Sequence, residues 1–218
     1  LRRLSYDVSP APRLIVAHLN HGLRPEAAAE AAFVAGLAGG WGLEHIEEAV
    51  DVPAFSVATG LSLEEAARVA RYGFLGRVAR QYGAGSVAVA HHADDQVETV
   101  IMHWLRGAGL AGLRGMLPAS PLADLRLTPA DEDALDERPL RLIRPLLNCT
   151  RADVEAYCAE NGLTPCLDRT NFDTTIYRNR LRHELIPYLE SINPNIRAVV
   201  RRSATVMARD YDYLHGQV

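Results

Sequence analysis

Residues Ala90–Thr99 read A-H-H-A-D-D-Q-V-E-T. They follow a short apolar run, Ser86–Ala90, and open an amphipathic helix expected over Asp94–Leu105 that ends in L-R-G-A-G. Five ionisable side chains thus crowd one strand-to-helix junction. In open α/β sheets, ligands bind outside the carboxyl ends of the strands, where a helix N-terminus offers unpaired N–H groups and the positive end of its dipole. On the expected helix Asp95 and Glu98 stand at i and i+3, and Asp94 and Glu98 at i and i+4, so the carboxylates share a face. Val97, Ile101, Trp104 and Leu105 make the apolar side. Carboxylates in a first turn also serve plain helix stability. Glu98 lies beyond that turn, however, and the adjacent imidazoles of His91 and His92 suit hydrogen bonding to a phosphate, or polarisation of a leaving group, better than packing.

Outward from this junction, strands and helices alternate. Arg13–His18 is a short buried strand ended by the polar run Asn20–Pro25, and Glu26–Gly40 is an Ala-rich helix. Leu43–Val50 is a second strand, closed by Asp51-Val52-Pro53. Ser62-x-x-Glu65 is a capping box for a helix whose Leu63, Ala67, Ala70, Phe74, Val78 and Tyr82 recur at helical spacing. This alternation implies an α/β fold with a doubly wound, mostly parallel, Rossmann-like sheet. Residues 118–138, polar and carrying Asp131-Glu132-Asp133, read as an exposed, partly mobile insertion. Arg141–Pro145 returns to the fold, Thr150 caps a helix running to Asn161-Gly162, and helical segments follow over Thr174–Leu189 and Asn195–Leu214. The expected organisation is an α/β catalytic domain over 1–190 and a C-terminal helical linker over 191–218.

Composition narrows the chemistry. The 218 residues are 48% hydrophobic and 23% charged, which suits one buried core. No apolar run approaches the ~20 residues of a membrane span, and no secretory signal opens the chain. Cys149, Cys158 and Cys166 form no C-x-x-C pair, so neither a disulfide framework nor a zinc ribbon is indicated, and a reducing cytoplasm fits. All 23 cations are arginine, which removes a Schiff-base lysine or a lysine-bearing P-loop from these residues. From Arg169 to Arg209 eight arginines face Asp173, Glu184 and Glu190, although the whole chain carries −4. That split suits a basic, nucleic-acid-facing end on an acidic body; a solvated helix face is the alternative.

Two further clusters carry chemistry. His18-Leu-Asn20-His21-Gly-Leu-Arg24 ends the first strand and is expected at the same crevice edge. His18-x-x-His21 has no further ligand at zinc-like spacing, so a nucleotide pocket is the better reading, with a polar loop as the alternative. Asp168-Arg-Thr-Asn171 is followed by Tyr177-Arg178-Asn-Arg180-Leu-Arg182-His183. Arg178 and Arg182 lie one helical turn apart, which suits a phosphate clamp or an Arg-rich solvated helix.

In order, the motifs are N-H-G-L-R, E-A-A-R-x-x-R-Y-x-F-L, A-H-H-A-D-D-Q-x-E-T with L-R-G-x-G-L-x-G-L, R-P-L-L, D-x-T-N, and R-N-x-L-R with a following N-P. This series resembles the tRNA(Ile)-lysidine synthase family of N-type (PP-loop) ATP pyrophosphatases over roughly Ile15–Ala204. The resemblance implies an adenine nucleotide alpha hydrolase-like fold, ATP and Mg2+, and a carbon–nitrogen bond-forming ligase reaction in two steps. ATP adenylates the first-anticodon-position cytidine of a tRNA(Ile) with a CAU anticodon, releasing pyrophosphate; the ε-amine of L-lysine then displaces AMP. On that basis Asp95 and Glu98 would hold the lysine ammonium or magnesium and help deprotonate the amine, and Arg71 and Arg178 would stabilise the transferring phosphate. His18, Asn20, His21, Arg24, His91, His92, Arg106 and Gly107 would bind ATP. Arg180, Arg182, Arg201 and Arg202 would meet tRNA, no protein-held metal site is expected, and a homodimer is left open.

The family's S-G-G-x-D-S phosphate loop is not found in these residues. The expectation is that it and its strand precede Leu1 and that a C-terminal domain follows Val218. Three other readings remain: another tRNA-modifying ATP pyrophosphatase, a zinc-dependent deacetylase-like hydrolase, for which A-H-H-A-D-D is a near miss, and a non-catalytic nucleotide- or RNA-binding module.

Overall fold

The computed structural model describes residues 11–22, 26–125, 139–166 and 169–217. The chain divides into two compact units, Leu1–Val87 with Pro121–Arg141, and Ala88–Ser120 with Leu142–Val218.

In the first unit β1 (Ile15–Asn20) pairs in parallel with β2 (Glu44–Ala49), in register from Ile15 opposite Glu44 to Asn20 opposite Ala49. A parallel pair needs a crossover, and α1 (Ala27–Gly40) supplies it. Asp51, just past the end of β2 as expected, also starts α2 (Val52–Thr59): its Oδ1 accepts the Ala54 N–H at 3.0 Å, and Pro53 sits in the first turn, where its missing N–H is not needed. Helix α3 (Leu63–Gln81) is capped by the Ser62 hydroxyl, which accepts the Glu65 N–H at 3.3 Å. Phe74 and Val78 of α3 pack on Leu19 of β1, with Ala17, Ile46, Val50 and Ala70 around them. Each such side chain contributes about 1.5–3 kcal/mol when buried. Leu63, expected on this apolar stripe, is exposed because it lies in the first turn, ahead of the contact, while Ala66 and Tyr72 are buried.

The second unit is helical: α4 (Ala93–Leu105), α5 (Leu110–Leu113), α6 (Arg151–Glu160), α7 (Tyr177–Arg180), α8 (Ile186–Ile192) and α9 (Ile196–His215). A π-turn over Leu181–Leu185 joins α7 to α8. Pro187 accounts for it, having no N–H for the His183 carbonyl and a ring that would crowd that carbonyl in regular α geometry. Val97 and Ile101 of α4 pack with Leu181 and Ile186, bordered by Met102, Leu185, Leu189 and Val200. Helix α9, expected as a linker, therefore packs into this core through Val200. Trp104 and Leu105, expected on the core side of α4, are 66% and 49% exposed, because the apolar contact ends at Ile101 and Met102.

A second sheet holds β3 (Ser86–Ala88), β5 (Arg141–Ile143) and β4 (Ala119–Pro121) in that order. The Arg144 N–H bonds to the Pro118 carbonyl and the Leu122 N–H to the Leu140 carbonyl, so β4 and β5 run antiparallel, as edge strands of doubly wound sheets often do. The stretch read as an exposed insertion from residue 118 thus begins as a strand and a 3-10 turn, Leu122–Leu125, with Leu122 buried. Its remainder, 126–138 with the acidic cluster, lies outside the described residues.

Candidate active site

Helix α4 begins with an unusual cap. Nδ1 of His92 accepts the N–H groups of Asp94 and Asp95 at 3.2 and 3.4 Å, and Oδ2 of Asp95 accepts the His92 N–H at 2.9 Å, a reciprocal capping box built on an imidazole. An Nδ1 that accepts these N–H groups carries no proton itself. This explains why a histidine stands two residues before the first of the two aspartates, at the N-cap.

Glu98 follows one turn later with its side chain 1% exposed. Its Oε2 accepts from Arg178 Nε at 2.7 Å, and its two oxygens accept from Arg182 Nε and Nη2 at 2.6 and 3.1 Å. The same guanidiniums approach Oδ1 of Asp95 less closely, at 3.4 Å from Arg178 and 3.7 Å from Arg182. Two carboxylates and two guanidiniums thus form a neutral, largely buried tetrad. The Glu98 hydrogen bonds hold the Arg182 guanidinium above the ordinary arginine pKa against the opposing effect of burial, so it stays charged. Glu98 is buried with three of its acceptor sites taken, whereas Asp95 keeps a loosely held oxygen. The one-turn spacing of Arg178 and Arg182 was legible in the sequence; among the described residues both guanidiniums face the Glu98 carboxylate. Arg182, grouped with the tRNA contacts on sequence grounds, lies in the tetrad.

Several motif residues build this unit. The Gln96 amide brackets Met116, accepting its N–H at 2.8 Å and donating to its carbonyl at 3.0 Å. Gly115 sits against that amide at φ +64°, where a Cβ would come within 2.7 Å of it and 2.8 Å of Val100. Asn179 is buried and donates to the carbonyls of Thr170 and Asp173, and His183 stacks on Phe172. Arg144 of the R-P-L-L motif is buried with Nη1 on the Leu117 carbonyl at 2.7 Å. Arg106 caps the end of α4 with its guanidinium over the Tyr177 ring, and Gly107 turns the chain at φ 75°. His91 is half-buried. Arg180 pairs with Glu184 on the surface, Arg201 reaches the Asn148 carbonyl at 3.2 Å, and Arg202 is exposed. Asp168 lies outside the described residues.

In the first unit, His18 and Asn20 lie two apart on β1 and so share a face. Oδ1 of Asn20 accepts the Gly22 N–H at 3.0 Å, folding the N-H-G turn with Gly22 at φ 63°. Nε2 of His21 accepts from Nε and Nη2 of Arg71 on α3, at 3.2 and 2.9 Å. Arg71 is therefore steered by the His21 imidazole, and among the described residues its charge has no carboxylate partner. An exposed, uncompensated guanidinium at a strand's carboxyl end fits an anionic phosphate. Arg24 lies outside the described residues.

Sequence reasoning missed Arg197, whose Nη1 donates to Asp94 at 2.8 Å from 103 residues away. No local pattern could have found that pair. The zinc-hydrolase alternative has no support among the described residues: no group of three His, Cys, Asp or Glu there could hold a metal ion, and Asp94, Asp95 and Glu98 all face arginine.

Comparison with known proteins agrees with this anatomy. The PP-loop domain family matches residues 3–189. The chain is 42% identical over 211 residues to the tRNA(Ile)-lysidine synthase of Dehalococcoides mccartyi (strain CBDB1), covering 96% of this chain and 42% of that protein. It is 40% identical over 198 residues to the synthase of Geobacter sulfurreducens, covering 90% of this chain and 38% of that one. The chain thus spans about two fifths of the length of these curated relatives. Among solved structures, a U34-tRNA thiolase from Methanococcus maripaludis superposes with a TM-score of 0.62 at 18% identity, over 91% of this chain and 62% of that one, which shows a shared fold. The chain belongs to the PP-loop domain family, and its similarity within that family is to the tRNA(Ile)-lysidine synthases.

Proposed function

We propose that the full-length product of this gene is a cytoplasmic tRNA(Ile)-lysidine synthase, which uses ATP to adenylate the first-anticodon cytidine of a CAU-anticodon tRNA(Ile) and lysine to displace AMP. The observation that carries the reading is the buried tetrad on α4, which leaves one carboxylate oxygen, Oδ1 of Asp95, loosely held beside a fixed positive pair.

Each group then has a distinct task. Asp95 takes the lysine ammonium and accepts the proton that must leave before the nitrogen can attack. Glu98 does not touch substrate; it orders Arg178 and Arg182, and Arg178, the more exposed of the two, stabilises negative charge on the adenylated base and the departing AMP. Arg71, steered by His21, stabilises phosphate charge during adenylation, with His18, Asn20, Arg24, His91, His92, Arg106 and Gly107 as the further ATP contacts. Magnesium would enter with the nucleotide's phosphates, since Asp94, Asp95 and Glu98 are engaged by arginine. Arg180, Arg201 and Arg202 meet tRNA phosphates. Among the described residues no helix is long and apolar enough to cross a membrane.

The test is direct. The full-length gene product is incubated with ATP, magnesium, lysine and a CAU-anticodon tRNA(Ile) transcript, and the digested nucleosides are weighed by mass spectrometry. Lysidine formed only when both ATP and lysine are present supports the reading. Modification by another group, or nucleotide binding without turnover, overturns it in favour of another PP-loop activity or a binding module.

A further inference from the structure

Asp94, the residue before the proposed amine-binding carboxylate, ties three helices together. Its Oδ2 accepts the Arg151 N–H at 2.8 Å, capping α6 from another element, and its Oδ1 accepts from Nη1 of Arg197 in the first turn of α9 at 2.8 Å. The other two nitrogens of that guanidinium hold both oxygens of Glu190 on α8, at 2.7 and 3.3 Å. All three nitrogens of the fork are engaged, which a lysine could not reproduce with one ammonium. Hydrogen bonding to Glu190 keeps the Arg197 guanidinium charged despite partial burial. The knot is shielded as well as connected, for Asp94 is 18% exposed and Arg197 and Glu190 about a third.

The position of the knot gives it a consequence. Asp94 and Asp95 are successive residues of the first turn of α4, both with N–H groups on the His92 imidazole. A first turn can fray unless something outside the helix holds it. Here Asp94 is held from outside by the Arg151 N–H of α6 and the Arg197 guanidinium of α9, and Asp95 by Arg178 and Arg182. We infer that Arg197 is a positioning residue for the lysine-transfer step: by tying Asp94 to α9 and, through Glu190, to α8, it helps fix the turn from which Asp95 meets the incoming amine. The inference rests on the lysidine reading above. It assigns Arg197 no contact with substrate.

Because the reaction has two steps, a positioning role can be separated from a merely structural one. Arg197→Lys and Glu190→Gln are made in the full-length gene product alongside Arg197→Met. Two quantities are read: tRNA-dependent exchange of pyrophosphate into ATP, which reports adenylation, and the KM for lysine in lysidine formation. Arg197→Met raises the lysine KM by about tenfold or more, since ångström-scale misplacement of a reacting group costs up to about a hundredfold, while exchange stays within about twofold of wild type. Arg197→Lys, which keeps the charge on Asp94 but not the fork, falls between, and Glu190→Gln shifts the lysine KM in the same direction by less. If Arg197→Met does not fold, the other two variants decide. An unchanged lysine KM in the folded variants, or exchange and lysine transfer falling in parallel with thermal stability, overturns the inference. A wild-type enzyme that makes no lysidine at all refutes the functional reading and the inference with it; normal wild-type turnover with unaffected variants refutes the inference alone.

Discussion

Replacing Glu98 by alanine separates its structural task from that of Asp95. Glu98 accepts three guanidinium hydrogen bonds at 2.6, 2.7 and 3.1 Å while 1% exposed, so the change strands two arginines beside a cavity. Breaking a buried ion pair by removing one partner costs about 3–5 kcal/mol. Here the arginines keep 31% and 21% of their side-chain exposure and Asp95 remains within 3.4 and 3.7 Å of them, so the loss falls at or below the lower end, about 2–3 kcal/mol. Asp95→Ala removes the reciprocal half of the His92 cap and two long contacts, worth about 1 kcal/mol. At about 2–4 °C per kcal/mol for a domain the length of this 218-residue chain, its thermal unfolding drops by roughly 4–12 °C for Glu98→Ala and by roughly 2–4 °C for Asp95→Ala. A double-mutant cycle of Glu98→Ala with Arg182→Ala returns a coupling of about 1–3 kcal/mol. A Glu98→Ala protein that melts within a degree of wild type, or an Asp95→Ala protein that is the less stable of the two, refutes the division of labour.

Gly115→Ala has no room beside the Gln96 amide and must adopt φ +64°, so it destabilises by about 1–3 kcal/mol, read as a lowered urea midpoint. Asp153 accepts the Thr150 hydroxyl and N–H, which lower its pKa; its stabilisation is therefore present above the unfolded carboxylate range and lost as pH falls through the folded value. Asp153→Asn accordingly lowers the urea midpoint at pH 7, and the deficit shrinks as pH falls below the ordinary carboxylate range. Arg201→Ala with Arg202→Ala weakens tRNA binding and reduces the log–log salt slope by about one per lost phosphate contact, leaving ATP affinity unchanged; an unchanged slope assigns that helix face to solvent.

How much of this was legible from the chain depended on sequence distance. The β1–α1–β2 alternation, the Ser62 and Thr150 caps and the shared face of Asp95 and Glu98 follow from local spacing, and all are present. Arg178 and Arg182 were recognisable as a pair, but not as partners of Glu98, because only tertiary packing brings together residues 80 and 84 apart. The same limit hid the Arg197–Asp94 contact and the docking of α9. Trp104 and Leu105 fit the helical period, yet periodicity cannot say where a partner surface ends. Asp51-Val52-Pro53 does follow the end of β2, but its second role, opening a helix where the fixed φ of proline is an advantage, was not read. At the site, His92 stood out as an ionisable group beside two aspartates, whereas its described contact is a cap on their backbone.

The central claim is that Asp95 receives the amine in the second step and takes no part in the first. A single-turnover experiment with the full-length product, labelled lysine, ATP and tRNA(Ile), comparing wild type with Asp95→Asn, tests it most directly by following pyrophosphate release and lysidine in the same reaction. The account predicts pyrophosphate release within about threefold of wild type and lysidine formation slower by about a hundredfold or more, the range in which a positioned proton acceptor contributes. Lysidine formed by Asp95→Asn at the wild-type rate contradicts it.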